Sequence, residues 1–502
     1  MSRTDKLALT ISLLAVLAAA WGAFNIFEGI AHLEDEFAYI WQAQVIARGE
    51  LAVPSPPQHK SFLVPFVVDY EGHRFGKYPL GWPVVLSFGE RLGLRWLVNP
   101  LLAGLAVWLT YRLGSKIMGE VVGLLAAGLT LTSAFFLMNA GTLLSHPWGL
   151  VLSTAFALSW LDVVDEDVSL PVWLPVLVAG FTLGTLALSR PFTALGVALP
   201  FGIHGLVLLF RGSPPLRKRV VSVGLIILAV ASLHLAWQYS VSGDPLLNPY
   251  SLWWEYDKAG FGPGVGVSPT GHSLNLAWQN LKFSLNAGYS DLFGWLRVSW
   301  LFLPLGLWAV RREPKVWLIL AVFPVLVILY MAYWIGAWVL GPRYYFEGLY
   351  SLTILTAAGI AWLAGWPLKV RAPWRVYQGR KRFRPLAVTA LLALLVAANL
   401  VFYLPSRLDG MRGLFGTTRQ QLAPFQTGTA QALAPALFIV DTDEWRAYAG
   451  LLELANPMLD SPFIFIWSRG PVSNAAIIQA FPGRNAFYYY PDDPWVFYGE
   501  AR

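Results

Sequence analysis

Residues 33–44 read LEDEFAYIWQAQ. Three consecutive acids, Glu34, Asp35 and Glu36, stand just after an apolar run from about Leu7 to Phe27 and just before a group of aromatic residues. A run of that length spans a bilayer as one helix, so the acids lie where the chain leaves the membrane. Continued at 3.6 residues per turn, the stretch puts Asp35, Tyr39, Gln42 and Ile46 on one face of a helix. Phe37, Ile40, Trp41 and Val45 fall on the other. Such a helix is expected to lie flat in the interface, its apolar face in the lipid edge, with Asp35 turned toward whatever sits above the spans. The helix dipole alone favours acids at a helix start and accounts for Glu34. It does not account for a triple acid beside a loop containing HKSF and EGHRFGKYP.

Composition agrees with a membrane setting. Of 502 residues, 56% are hydrophobic and only 13% are charged, against about 25% charged in soluble domains, and the mean hydropathy is +0.54. The 24 Trp and 20 Tyr suit interfacial belts. The net charge of +7 reflects loop asymmetry, and no nucleic-acid partner is expected. The absence of Cys excludes disulfides and thiolate-held metals.

Hydropathy predicts a polytopic α-helical protein of about eleven spans. After the first, they fall near 96–113, 120–139, 142–161, 170–189, 192–210, 220–239, 296–310, 316–335, 346–366 and 386–403, with a half-inserted helix at 80–93. Basic residues gather near Arg112 and Lys116, in RGSPPLRKR, in RREPK and in KVRAPWRVYQGRKRFR, which orients these segments to the cytoplasm. The acidic loop Asp162–Asp167 runs against the pattern, but acids weigh little in this rule. Loops 28–80 and 240–295 and the tail after about Tyr403 are then exoplasmic. Residues 1–403 form the transmembrane part and 404–502 a separate unit. In that tail, ALFIV, PFIFIW and AFYYY read as strands, and EWRAYAGLLELA and SNAAIIQAF as helices, giving a small βαβαβ unit with a parallel sheet. It carries no Gly-rich phosphate fingerprint.

DEFAYIWQAQVIARGELAVP, followed by GHRFGKYPLGWPVVLSFGERLG, resembles the first exoplasmic loop of GT-C fold glycosyltransferases, in particular glycosyltransferase family 39 and the lipid A aminoarabinose transferase group. SHPW (145–148), SRPFTALGVALP (189–200), SGDPL (242–246), GFGPG (260–264), LFGW (292–295) and GPRYYFE (341–347) extend the resemblance over residues 1 to about 400. Ala38 stands where the aminoarabinose group has Arg, so lipid A as acceptor does not carry over. The resemblance implies a cell-envelope enzyme that moves a hexose or pentose from a polyprenyl monophosphate donor to an exoplasmic lipid, glycan or protein. Abundant Arg, Leu, Trp and Pro with little Lys fit a GC-rich bacterium, and hence its cytoplasmic membrane, with the site and C-terminus outside.

An acceptor hydroxyl needs a base within hydrogen-bond reach, and the resemblance points to Asp35, with Glu36 beside it. The leaving lipid phosphate needs positioned cations; Lys77 of GKYP, Arg343 of GPRYY and Arg190 of SRPF stand at membrane boundaries. Tyr39, Tyr78, His146, Asp257, His272 and Tyr344 complete the candidate substrate site, and Asp291 is a further acid in the second large loop. Some GT-C enzymes use a divalent cation, for which Asp35, Glu36 and a loop histidine would be ligands, but no tight ligand cluster appears in the sequence. The rival readings are a polytopic transporter, which would show repeated halves and midspan charges, and a glycan polymerase or ligase with a diphosphate-linked donor.

Overall fold

The computed structural model describes residues 2–167, 170–369 and 383–502. The basic segment 370–382, expected in the cytoplasm, lies outside the described residues. In chain order the first part comprises α1 (Arg3–Asn25), α2 (Glu34–Ala47), the short strands β1 (Val53–Pro54), β2 (Val67–Tyr70) and β3 (His73–Gly76), then α3 (Gly81–Arg91) and α4 (Arg95–Met118). The helical body continues with α5 (Glu120–Thr132), α6 (Ala134–Ala140), α7 (His146–Val163), α8 (Trp173–Ser189), α9 (Pro191–Arg211), α10 (Pro214–Ala231) and α11 (Leu233–Ser242). It ends with α12 (Pro249–Trp253), α13 (Leu274–Asp291), α14 (Leu303–Val310), α15 (Pro314–Leu320), α16 (Val322–Tyr330), α17 (Leu349–Ala364) and α18 (Phe383–Ala398).

Among the described residues, five helices are long and apolar enough to cross a bilayer, or up to eight if each bent pair counts as one span, against the eleven expected from hydropathy. The bends explain part of the difference. α3 meets α4 at 120°, α5 meets α6 at 62°, and α13 meets the segment Leu296–Val310 at 96°. Small residues let the helices close on one another. A Cβ on Gly306 of α14 would lie 2.1 Å from the Leu355 carbonyl of α17, and one on Gly359 of α17 would lie 2.2 Å from the Phe302 carbonyl. Such backbone approach is how helices associate where lipid offers no hydrophobic drive.

The first loop folds as α2, then an antiparallel sheet of order β1-β3-β2, then α3, a helix where the sequence indicated a half-inserted one. The tail forms a three-stranded parallel sheet, β4 (Ala436–Val440), β5 (Phe463–Trp467) and β6 (Asn485–Tyr489), in the order β5-β4-β6. The period of two sorts its side chains. Phe438, Val440, Phe463 and Phe465 pack around Phe425 on one face. Leu437, Ile439, Ile464 and Ile466 meet Ile477 on the other, where Phe62 of the first loop joins them.

The apolar face of α2 does not lie in lipid, contrary to the expectation above. Phe37, Ile40, Trp41 and Val45 are all buried. Phe37 meets Trp445 edge-on at 6.4 Å. Phe37, Ile40 and Trp41 share a small cavity with Tyr448, Ile464 and Phe465 of the tail. The tail, not the bilayer, covers this face, and nothing local to α2 announces a partner four hundred residues away.

Candidate active site

Asp35, on the first turn of α2, lines a cavity of about 240 Å³ together with Tyr39, Lys77, Tyr78, His146, Arg190, Asp257, Arg343 and Tyr344. The structure thus gathers nine of the eleven candidate residues around one space. Glu36 and His272 are not among its lining residues.

Asp35 accepts a hydrogen bond from the Tyr78 hydroxyl, and its other oxygen lies 3.2 Å from Arg343 Nη2. Burial, then the Asp35 charge, raises Tyr78 well above the usual phenol range, so Tyr78 keeps its proton and acts as the donor. Arg343 Nη1 is buried and has no hydrogen-bond partner among the described residues. A buried guanidinium with an open donor is poised for an anion.

Lys77 is not free. Its ammonium donates to Asp257 at 3.0 Å and lies 3.7 Å over the Phe66 ring, with Tyr250 and Trp254 at 5.1 and 5.0 Å. Burial lowers its pKa from the usual lysine range, against the opposing pull of Asp257. Asp257 also accepts from Tyr333 at 2.8 Å and Trp334 at 3.0 Å. This pair joins the first loop to the second.

Arg190 caps the start of α9 and reaches Ser145 (3.1 Å), Thr193 (3.2 Å) and Glu347 (3.0 Å). His146 Nδ1 lies 3.3 Å from the same Glu347 oxygen. The carboxyl fits because α7 carries glycine opposite: a Cβ at Gly149 would stand 2.6 Å from Glu347 Oε1. The sequence reading missed Glu347, although it ends the quoted GPRYYFE. An acid at the start of an apolar span was the available signal. It also missed Tyr250, Tyr330 and Tyr333, which line the cavity.

Glu36 has a different place from its neighbour. Its carboxylate accepts backbone N–H groups of His32 (2.8 Å), Leu33 (3.0 Å) and Leu143 (2.7 Å). Burial raises its pKa, opposed by His32 and these amides. Glu36 therefore fastens the start of α2 to the turn before α7. His272 donates from Nε2 to the Met331 carbonyl (2.9 Å) and stacks on Phe261, fixing the second loop. Asp291 pairs with Arg407 at 2.9 Å, outside the residues lining the cavity.

The residues do not fit a divalent cation. Asp35 is taken by Tyr78 and Arg343, and Glu36 by backbone amides. Among the described residues, no group of three His, Cys, Asp or Glu is arranged to hold a metal.

A second cavity, of about 420 Å³, adjoins the first. It shares Asp35, Lys77, Tyr78, Asp257, Tyr333, Arg343 and Tyr344, and adds Glu34, Phe66 and the indoles of Trp253, Trp254, Trp334, Trp445 and Trp467.

This architecture is the GT-C fold of membrane glycosyltransferases. The chain is similar to ArnT from Cupriavidus metallidurans in the apo state, at 13% identity and TM-score 0.54, over 90% of this chain and 84% of that one. It is also similar to the same enzyme bound to undecaprenyl phosphate, at 14% identity and TM-score 0.56, over 95% and 88%. The archaeal oligosaccharyltransferase AglB from Archaeoglobus fulgidus, in complex with an inhibitory peptide and a dolichol-phosphate, matches at 13% identity and TM-score 0.51, over 91% of this chain and 65% of that one. No protein-family model and no curated protein matches the sequence.

Proposed function

We propose that the protein is a glycosyltransferase of the bacterial cytoplasmic membrane. It moves a sugar from a polyprenyl monophosphate to an acceptor hydroxyl on the exoplasmic side, with Asp35 as general base. One observation carries this reading: Asp35 lines two adjoining cavities at once. A transferase needs a base at the point where two substrates meet.

The inner cavity suits the donor phosphate. Arg343 offers an unpartnered Nη1, and Arg190 and Lys77, each already paired with an acid, line the same cavity. The first turns of α2, α7 and α9 also line it, and helix N-termini favour anions. The undecaprenyl phosphate in one similar structure and the dolichol-phosphate in another support a lipid phosphate here. In the reaction the acceptor oxygen bonds to the anomeric carbon as the bond from that carbon to the phosphate oxygen breaks. The phosphate keeps the electron pair, and the acceptor proton passes to Asp35. Tyr78 and Arg343 hold that carboxylate in place.

The transporter reading is disfavoured by where the charges sit. They lie at helix starts and in loops around one cavity, whereas a carrier holds them within its spans at midplane. Incubating the purified protein with radiolabelled polyprenyl-phosphate sugars and membrane extract tests the proposal. Transfer by the wild type and none by Asp35→Asn is expected. Label moved only from diphosphate-linked donors would make the protein a ligase or polymerase, and no transfer from either kind would reject the enzyme reading.

A further inference from the structure

The outer cavity differs in chemistry from the inner one. Among the described residues, of the lining residues it does not share, Glu34 alone carries a charge, and five are tryptophans. Trp253, Trp254 and Trp334 come from the helical body, and Trp445 and Trp467 from the tail, so the tail supplies the opposite wall. That wall is rigid. Trp467 donates to the Thr442 carbonyl at 2.7 Å and carries Arg469 at 3.9 Å over its ring. Trp445 is wedged against Phe37, two residues from Asp35. Glu34 has Arg446 at 3.9 Å.

We infer that this cavity takes a neutral carbohydrate acceptor, presented to Asp35 between the helical body and the tail. The inference rests on the glycosyl-transfer reading and adds the acceptor's class. Two features carry it. A pyranose has one face rich in C–H bonds, which suits the electron-rich face of indole, while its hydroxyls reach polar groups at the rim. A cavity that sets five indoles opposite the charged and phenolic groups it shares with the inner one is built for such a ligand and poor for one that needs many backbone partners. An anionic acceptor is disfavoured by charge: beyond the shared residues its phosphate would find Glu34 and no lining cation. Lys77 already faces Asp257, and the open Nη1 of Arg343, which also lines the inner cavity, is the group proposed above for the donor phosphate.

The test is a binding measurement on the full-length protein in detergent, independent of turnover. Saturation-transfer NMR is recorded with neutral oligosaccharides (glucan, mannan and galactan fragments), with a bis-phosphorylated glycolipid and with an unstructured Ser/Thr-rich peptide. At least one neutral oligosaccharide is expected to bind. Trp467→Ala should weaken it tenfold or more while leaving affinity for polyprenyl phosphate unchanged. Glu34→Lys should leave the fold intact and raise affinity for the phosphorylated glycolipid severalfold. Failure of all three oligosaccharides to bind, preference for the glycolipid or peptide, or indifference to Trp467→Ala would each overturn the inference, and Glu34→Lys decides it if the alanine variant does not fold. Oligosaccharide binding that persists in a protein unable to use any lipid-linked donor would instead defeat the glycosyl-transfer reading and leave this site standing.

Discussion

Two carboxylate–guanidinium pairs, each with its arginine on the inner cavity, stand in different conditions. In the deep pair, Glu347 and Arg190 are surrounded by Ser145, Thr193, Tyr330 and His146. In the outer pair, Asp35 and Arg343 keep 23% and 17% of their side-chain surface open, and Arg343 has a spare donor. The acid sets the two apart, since the Glu347 side chain has no open surface and Arg190 keeps 13% of its own; a pair whose acid is wholly enclosed acts as a brace, even with Glu347 Oε2 lacking a hydrogen-bond partner among the described residues. One that is open and short of partners has capacity left for substrate. The contrast assigns architecture to the deep pair and chemistry to the outer one, although the residues are of the same kinds.

The strongest challenge to this contrast is Asp35→Asn, which keeps the shape and removes the proposed base. Turnover should fall by about 10²–10⁴-fold, with the melting temperature unchanged. A near wild-type rate would remove Asp35 from the chemistry. The deep pair should respond in the other quantity. Glu347→Ala leaves Arg190 buried and uncompensated, which typically costs about 3–5 kcal/mol and is read as a lower unfolding midpoint. An unchanged midpoint with lost activity would reverse the two assignments. Arg343→Ala should weaken use of the lipid-phosphate donor by a smaller factor, through loss of charged hydrogen bonds worth about 1.5–3 kcal/mol. Donor titrations that superimpose on wild type would show that the phosphate goes elsewhere. Arg48→Ala supplies the baseline. Its pair with Asp460 is 3.7 Å long and mostly exposed on both sides, so stability should change by about 0–1 kcal/mol; a larger shift in the midpoint would mean that exposed pairs brace the tail as well.

Much of the site was legible because its residues sit at discontinuities. Asp35 interrupts an apolar exit, Lys77 stands in a Pro-rich turn, and Arg190 and Arg343 precede apolar runs. Each is a place where a charge needs a reason. Glu347 was harder to see because its partners, Arg190 and His146, are far from it in sequence and only the fold supplies them. Separating Asp35 from Glu36 was partly legible: their hundred-degree offset on the helix could be read, but the backbone amide of Leu143 that takes up Glu36 could not. The parallel sheet of the tail followed from three short β-branched and aromatic runs. Its seat on α2 did not, since Phe37 and Trp41 look equally suited to lipid or to protein. Hydropathy likewise marked where apolar segments lie without revealing the 62° and 96° bends that divide them.

The tail's hold on the first loop has a consequence in time. Glu453 accepts the backbone N–H of Ala31 and pairs with Arg95, and the Arg419 N–H donates to Glu28. The carboxylate that secures Ala31 is made 422 residues after it. At about 5–20 residues per second of synthesis, roughly 20–80 s pass before it exists. Through that interval the segment around Asp35 lacks the wall that buries Phe37 and Trp41. The ribosome thus reaches Asp35 early and the part that seats its helix late, and a chain released before Glu453 has the carboxylate but lacks the contacts of Glu453 that tie down the segment before it.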